Sequence, residues 1–151
     1  MRLVIQRVDH ASVTADGILT GEIKKGLLVL AGVEKDDDEK KVDRFAQKLL
    51  KLRIFEDENG KTNLSLGDVN GGLLVVSQFT LMADCRESNR PSFTDAGDPV
   101  CAEKLYDHFI SILSKSVPGI RHGVFGADMK VDLVNDGPFT IILDDHQLKL
   151  D

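Results

Sequence analysis

The chain has 151 residues, 42% of them hydrophobic and 29% charged, with a mean hydropathy of −0.12. One domain of that size buries roughly 70% of its unfolded surface and needs neither disulfide nor metal to hold it. Nineteen Lys and Arg stand against twenty-five Asp and Glu, a net charge of −6, which excludes a protein that coats nucleic acid through bulk positive charge.

Residues 3–8 form a β-rich run, and residues 11–15 alternate with period two. Asp16-Gly17 is a hairpin turn signal, so residues 18–23 read as the returning strand. Residues 26–33 are continuously apolar and bounded by glycine, as in a strand buried on both faces; they are also the longest apolar stretch, far short of the roughly 20 residues of a membrane span. The first residues meet charge too soon for a secretory leader, and no membrane association is expected.

A helix follows, with Asp36 as its expected N-cap and Glu39 three residues on. Val42, Phe45, Ala46 and Leu49 make its apolar face, while Lys41, Arg44, Lys48 and Lys51 make a basic stripe. The stripe reads first as a solvated face suited to the helix C-terminal dipole, and second as a contact for a polyanion. Residues 53–56 read as a short strand turning at Glu58-Asn59-Gly60, and residues 73–81 as the strongest strand of the chain. A polar loop over residues 82–97 precedes a second helix opened by Asp98-Pro99. Ala102, Leu105, Phe109, Ile112 and Leu113 form the apolar face of this helix, which Pro118-Gly119 ends. Residues 121–125, 129–134 and 139–143 read as three more strands, the last two joined by a turn at Asn135-Asp136-Gly137-Pro138. This order predicts one α+β domain over residues 1–151, with largely antiparallel sheets curled into a barrel-like core and two main helices.

The usual catalytic signatures are missing: there is no GxSxG, P-loop, GxGxxG or HExxH. His10, His108, His122 and His146 are scattered without metal-ligand spacing, so neither metal nor cofactor is expected. Cys85 and Cys101 have no CxxC spacing and read as reduced thiols of a cytoplasmic protein. Two segments stand out. Ser77-Gln78-Phe79-Thr80 closes an aliphatic strand with polar groups, as a ligand site or as a solvent-facing strand end. Gly137-Pro138 is either a plain turn or a rigid pair of backbone carbonyls offered to a ligand; spacing does not choose.

Together these segments resemble the D-aminoacyl-tRNA deacylase family. The likeness runs from residues 1–8 through residues 77–81, Asn89-Arg90-Pro91-Ser92-Phe93, Phe125-Gly126-Ala127-Asp128-Met129 and Asn135-Asp136-Gly137-Pro138-Phe139-Thr140. It departs from the family at Ser88, where Gly is common, and at Phe139, where Val is. The resemblance implies a cytoplasmic homodimer that hydrolyses the ester between a D-amino acid and the 3′-terminal adenosine of tRNA, with glycyl-tRNA as a secondary substrate. It implies that Gly137-Pro138 is a cis pair inserted from one subunit into the other's pocket, where it excludes L-side chains. It further implies that backbone amides around Ser77, Gln78 and Phe79 hold the ester, assisted by the RNA 2′-hydroxyl, while Phe79, Phe125 and Met129 line the adenosine pocket. Thr80 has the chemistry of a nucleophile, but no His or Lys neighbours it in sequence to activate it. The other readings are a relative of different chiral specificity and a non-catalytic dimeric module binding the tRNA CCA end.

Overall fold

The computed structural model describes residues 1–150. Its elements are β1 (Arg2–Ala15), β2 (Ile18–Ile23), β3 (Gly26–Gly32), α1 (Glu39–Lys51), β4 (Arg53–Glu56), β5 (Thr62–Ser65), β6 (Gly72–Ser77), α2 (Pro99–Ser116), β7 (Arg121–His122), β8 (Met129–Leu143) and α3 (Asp145–Leu148), with a 3-10 turn at Phe79–Met82. The main sheet runs β2-β1-β3-β6-β7, with β8 also on β1; β4 and β5 pair separately. β1 is antiparallel to β2, β3 and β8, whereas β3, β6 and β7 are mutually parallel, so the sheet is mixed. β2 curls back against β6 and β7, and the sheet nearly closes into a barrel. The α+β class with two main helices therefore holds.

The aliphatic runs of β3 and β6 are buried on both faces, as their composition predicts. Leu27, Val29, Leu73 and Val75 pack under α1 and α2 with Phe45, Leu49, Phe109 and Leu113. Their neighbours Leu28, Leu74 and Val76 point the other way, into the barrel with Val8, Val13 and Ile23.

Several boundaries move. Residues 3–8 and 11–15 are one strand, because a bulge near Arg7–His10 buries Arg7 and Val8 in succession and breaks the alternation without breaking the pairing. Asp38, not Asp36, caps α1: its Oδ1 accepts from the Lys41 amide at 2.8 Å. β5 went unread because Leu64 is its single apolar residue. The strand read over residues 73–81 stops at Ser77, and β7 keeps only two of the five residues expected. The turn expected at residues 135–138 is instead an excursion within one 15-residue strand, β8, which returns to β1 at Thr140 opposite Gln6.

The basic stripe divides. Lys41 Nζ donates to Asp145 at 2.7 Å and pairs with Asp37 at 3.0 Å, and Arg44 donates to the Leu148 carbonyl. Half of the stripe therefore fastens α3, a helix the sequence reading did not include. Glu34, Asp37 and Asp145 converge closely enough to suit a cation, but the Met1 ammonium and Lys41 already face them. Burial alone would lower the Lys41 pKa, and its bonds to Asp145 and Asp37 outweigh that and raise it.

Candidate active site

The parallel strands β3 and β6 end side by side at Ala31 and Ser77, and a cavity of about 670 Å³ opens beyond them. It is lined by Ala31 and Val76 of the strands, by the first turns of α2, and by Phe125 with Met129 and Val131 of β8, the Phe125 ring standing 5.9 Å from that of Tyr106 in α2. The chain leaves β6 through Gln78, whose amide donates to the Ala31 carbonyl at 2.8 Å, and then winds into the 3-10 turn. In such a turn the leading amides, here Phe79 and Thr80, have no partner within it.

The turn is held from both sides. Arg2 Nη1 donates to the Leu81 carbonyl at 2.8 Å, and Met82 is buried behind the turn. Gly32 permits the close approach: a Cβ there would stand 2.9 Å from the Gln78 carbonyl oxygen and 3.1 Å from Leu81 Cβ. At the mouth, Phe79 is 58% exposed and meets Phe93 edge-on, with ring centroids 5.1 Å apart.

Ser77, Gln78, Phe79, Phe125 and Met129 thus lie around one cavity. Thr80 is beside it: its Oγ1 accepts from Gln78 Nε2, and among the described residues it has no bond to a histidine, lysine or carboxylate. The only carboxylate on the described cavity wall is Asp98, which accepts from the Cys101 amide to cap α2. Tyr106, the other ionisable wall residue, donates its hydroxyl to the Val75 carbonyl at 3.1 Å, and burial, with Asp107 nearby, pushes its pKa up. It remains a neutral donor. The walls therefore offer apolar surface, hydroxyl and amide groups and backbone N–H, which suits binding an ester and stabilising an oxyanion better than side-chain proton transfer.

Gly137 and Pro138 do not line this cavity. They are exposed in the β8 excursion, joined by a cis peptide bond, and Gly137 has φ of 132°. The excursion is tied down at its base. Asn135 Oδ1 accepts from the Phe139 amide at 2.9 Å, and Asn135 Nδ2 donates to Thr140 Oγ1 at 3.0 Å. Beneath it Arg7, 6% exposed, donates through Nε to the Asp136 carbonyl and through Nη1 to the Ile54 carbonyl, with its guanidinium 4.7 Å from the Phe139 ring centre.

Sequence reasoning missed Tyr106, Phe93 and Arg7. Tyr106 had a signal, since it is the single tyrosine and falls at i+4 from Ala102 on the apolar face of α2. Phe93 and Arg7 lay inside segments that resembled the family, but nothing local gave them a part. Cys85 and Cys101 are free, exposed thiols.

The family profile described as D-Tyr-tRNA(Tyr) deacylase matches residues 4–144. A protein of Syntrophus aciditrophicus named D-aminoacyl-tRNA deacylase is 52% identical over 98% of this chain and 99% of its own length. A solved structure titled c-Myc DNA Unwinding Element Binding Protein is 41% identical with a TM-score of 0.90, covering 95% of this chain and 98% of that one. A structure described as a probable eukaryotic D-amino acid tRNA deacylase superposes with a TM-score of 0.84 over 94% of this chain and 97% of its own; at 16% identity it bears on the fold alone.

Proposed function

The chain belongs to the D-Tyr-tRNA(Tyr) deacylase family, a family of hydrolases, and we propose that it cleaves the ester joining a D-amino acid to the 3′-terminal adenosine of tRNA, with the whole chain acting as one deacylase domain. Water adds to the ester carbonyl, the bond to the ribose oxygen breaks, and a free D-amino acid and a tRNA 3′-hydroxyl are released. The observation that carries this reading is the cavity at the ends of β3 and β6, lined by Ser77, Gln78 and Phe79, whose one carboxylate on the described walls, Asp98, is engaged in capping α2.

That composition determines the mechanism proposed. The amides leading the 3-10 turn take up the oxyanion, and the ribose 2′-hydroxyl next to the ester assists the attacking water. Phe125 and Met129 receive the adenine, which is flat and apolar on its faces. Chiral selection falls to Gly137 and Pro138. Because they stand exposed and outside their own cavity, they reach substrate only from a second copy, and a homodimer is part of the proposal. The exposed Val134 and Ile142 of β8, with Ile18 and Leu19 of β2, supply apolar surface for such pairing. A carbonyl pair holding the amino group leaves no room for an L-side chain, and glycine, having none, passes as a secondary substrate. The reading places the protein in the cytoplasm, where charged tRNA is; no helix among the described residues is long and apolar enough to cross a membrane.

Deacylation of D-Tyr-tRNA, L-Tyr-tRNA and Gly-tRNA tests this. Turnover of the D and glycyl substrates with L spared is expected. Turnover of none leaves a tRNA-binding module, and equal turnover of D and L defeats the exclusion by Gly137-Pro138. A D-Tyr-tRNA ending in 2′-deoxyadenosine tests the hydroxyl's part, and unchanged turnover removes it.

A further inference from the structure

A second cavity, of about 500 Å³, lies on the far side of the 3-10 turn and is lined by Arg2, Glu34, Met82, Asp84, Arg86 and Asp95 among others. The two cavities share a partition. Lys35 donates its amide to the Asp95 carbonyl at 3.1 Å, Gly97 donates to the Val33 carbonyl at 2.9 Å, and Glu34 bridges Ala96 between them. Along this partition Val33 and Ala96 face the large cavity, and their neighbours Glu34 and Asp95 face the small one. The turn repeats the arrangement, with Phe79 on one side and Met82 on the other. The Phe79–Phe93 ring pair stands at the mouth of the first cavity.

The wall of the small cavity alternates acceptors and donors with capacity to spare. Arg86 is pinned as a fork, with Nε at 2.9 Å and Nη2 at 2.6 Å from the Asp84 carboxylate, and its Nη1 makes no hydrogen bond among the described residues. That grip holds the Asp84 pKa down at about 2, so the pair stays charged. Asp95 gives Oδ1 to Lys35 and keeps Oδ2. Arg2 gives Nη1 to Leu81, and its Nε is buried without a partner. Three carboxylates and two guanidinium groups line it, and the Met1 ammonium and Lys35 pair with Glu34 and Asp95, so the wall presents donors and acceptors together and suits a heteroaromatic edge carrying both an amine and ring acceptors.

We infer that this second cavity, reached from the first past the Phe79–Phe93 pair at its mouth, is the subsite for the penultimate nucleotide of the acceptor strand, and that it selects cytosine. The inference rests on the proposed placement of the terminal adenosine in the first cavity, since the base one step 5′ must then cross the partition. Exposed aromatic rings take unpaired bases by stacking, which is indifferent to sequence. Selection comes from the edges. The cytosine N4 amine donates to a carboxylate, as at Asp95, while its O2 and N3 accept from a guanidinium, as at Arg86. Uracil presents a carbonyl where cytosine has the amine and meets the carboxylate lone pair to lone pair.

The test uses three D-tyrosyl esters: of adenosine, of cytidylyl-adenosine and of uridylyl-adenosine. KM for the cytidylyl ester is expected to be lower than for the uridylyl ester by about tenfold, the size of one aligned edge contact. In Asp95→Asn, whose amide donates where the carboxylate accepted, the ratio should fall to one or invert; in Arg86→Met it should shrink. The ratio is internal to each variant, so a general loss of folding or of chemistry cancels. Equal KM for the two dinucleotides, or no gain over adenosine alone, overturns the subsite while hydrolysis itself upholds the deacylase reading. Binding of the unacylated dinucleotides, followed by amide chemical shifts in residues 84–95, is read apart from turnover. Cytidine-selective shifts without hydrolysis uphold the subsite and defeat the deacylase reading, and shifts indifferent to the base defeat the subsite.

Discussion

Gly32→Ala tests whether the 3-10 turn is held in register by its contact with β3. The new Cβ would meet Met82 Cε at 2.8 Å, the Gln78 carbonyl oxygen at 2.9 Å and Leu81 Cβ at 3.1 Å. The Met82 methyl is the end of a flexible chain and swings away. The Gln78 carbonyl belongs to a peptide whose neighbouring amide is bonded to Ala31 at 2.8 Å, so it yields only by moving the start of the turn. Relief to ordinary contact needs a shift of about half an ångström. Overpacking of this kind costs about 1–3 kcal/mol, which for a chain of this size lowers Tm by roughly 2–10 °C. The larger effect is expected in catalysis, because a misplacement of about 1 Å in a reacting geometry costs about a hundredfold. The expected result is a folded protein whose kcat for D-Tyr-tRNA falls by about ten- to a hundredfold, with circular dichroism unchanged and KM within about threefold. A variant with lowered Tm and full kcat would show that the amides of Phe79 and Thr80 take no part in the reaction.

Other substitutions and conditions probe separate links. Thr80→Ala removes a hydroxyl that only Gln78 contacts, so kcat should stay within about tenfold of the parent; a loss of several orders of magnitude with binding intact would make Thr80 the nucleophile. Gly137→Ala places a Cβ 2.9 Å from Arg7 Nη2 on a residue with φ of 132°, where L-side chains are strained, and should disturb the excursion enough to cut discrimination between D- and L-Tyr-tRNA; unchanged discrimination would separate the motif from chiral selection. Arg7→Met leaves the Ile54 and Asp136 carbonyls without their donor and should cost about 2–4 kcal/mol of stability by chemical denaturation, whereas a shift below about 0.5 kcal/mol would show that water replaces the guanidinium freely. Burial alone would raise the Asp145 pKa, but Lys41 and the Met1 ammonium outweigh it and hold it below 3.8. A depressed carboxyl contributes stability above its unfolded pKa and loses it as pH falls through the folded value, so α3 should undock below about pH 4. Amide exchange at residues 145–148 is the measurement, and equal protection at pH 6 and pH 3 would sink the argument.

What the sequence disclosed depended on whether a local pattern carried the answer. The double-sided burial of β3, the apolar faces of α1 and α2 and the Asp98-Pro99 start of α2 each follow from a few adjacent residues, and each is found. Errors cluster where a distant partner overrides the local preference. Residues 73–81 read as one aliphatic strand, yet the chain turns at Gln78 because Arg2, 79 positions away, holds the Leu81 carbonyl. Residues 135–138 read as a tight turn, yet β1 continues past them as a template, and Arg7, 129 positions from Asp136, occupies the gap. In the site, Ser77, Gln78 and Phe79 were marked by the polar close of an aliphatic strand, Phe125 and Met129 only through resemblance, and all five lie around the cavity. Phe93 and Asp95 belong to a loop whose docking on residues 33–35 leaves no periodic trace.

The net charge of −6 looked hostile to an RNA substrate, and the structure engages half of the cations that the helix stripe and the long loop offered for one. Of the residues with a claim to touch phosphate, Lys41 and Arg44 are spent on α3 and Arg86 on Asp84. Lys48, Lys51 and Arg90 carry no ion pair among the described residues, and the first two belong to the last turn of α1, where they complement its dipole. That leaves at most three phosphate contacts, so affinity must come from the stacked and hydrogen-bonded end of the strand. Each contact with single-stranded RNA contributes about −0.7 to the slope of log K against log salt. Between about 50 and 200 mM salt, kcat/KM for D-Tyr-tRNA should therefore fall by no more than about twentyfold, where a protein with six to ten contacts loses about a thousandfold or more. A steep loss would place a basic surface on the acceptor stem that these cations do not supply. A shallow one fits an enzyme that holds the end of a tRNA briefly and lets it go.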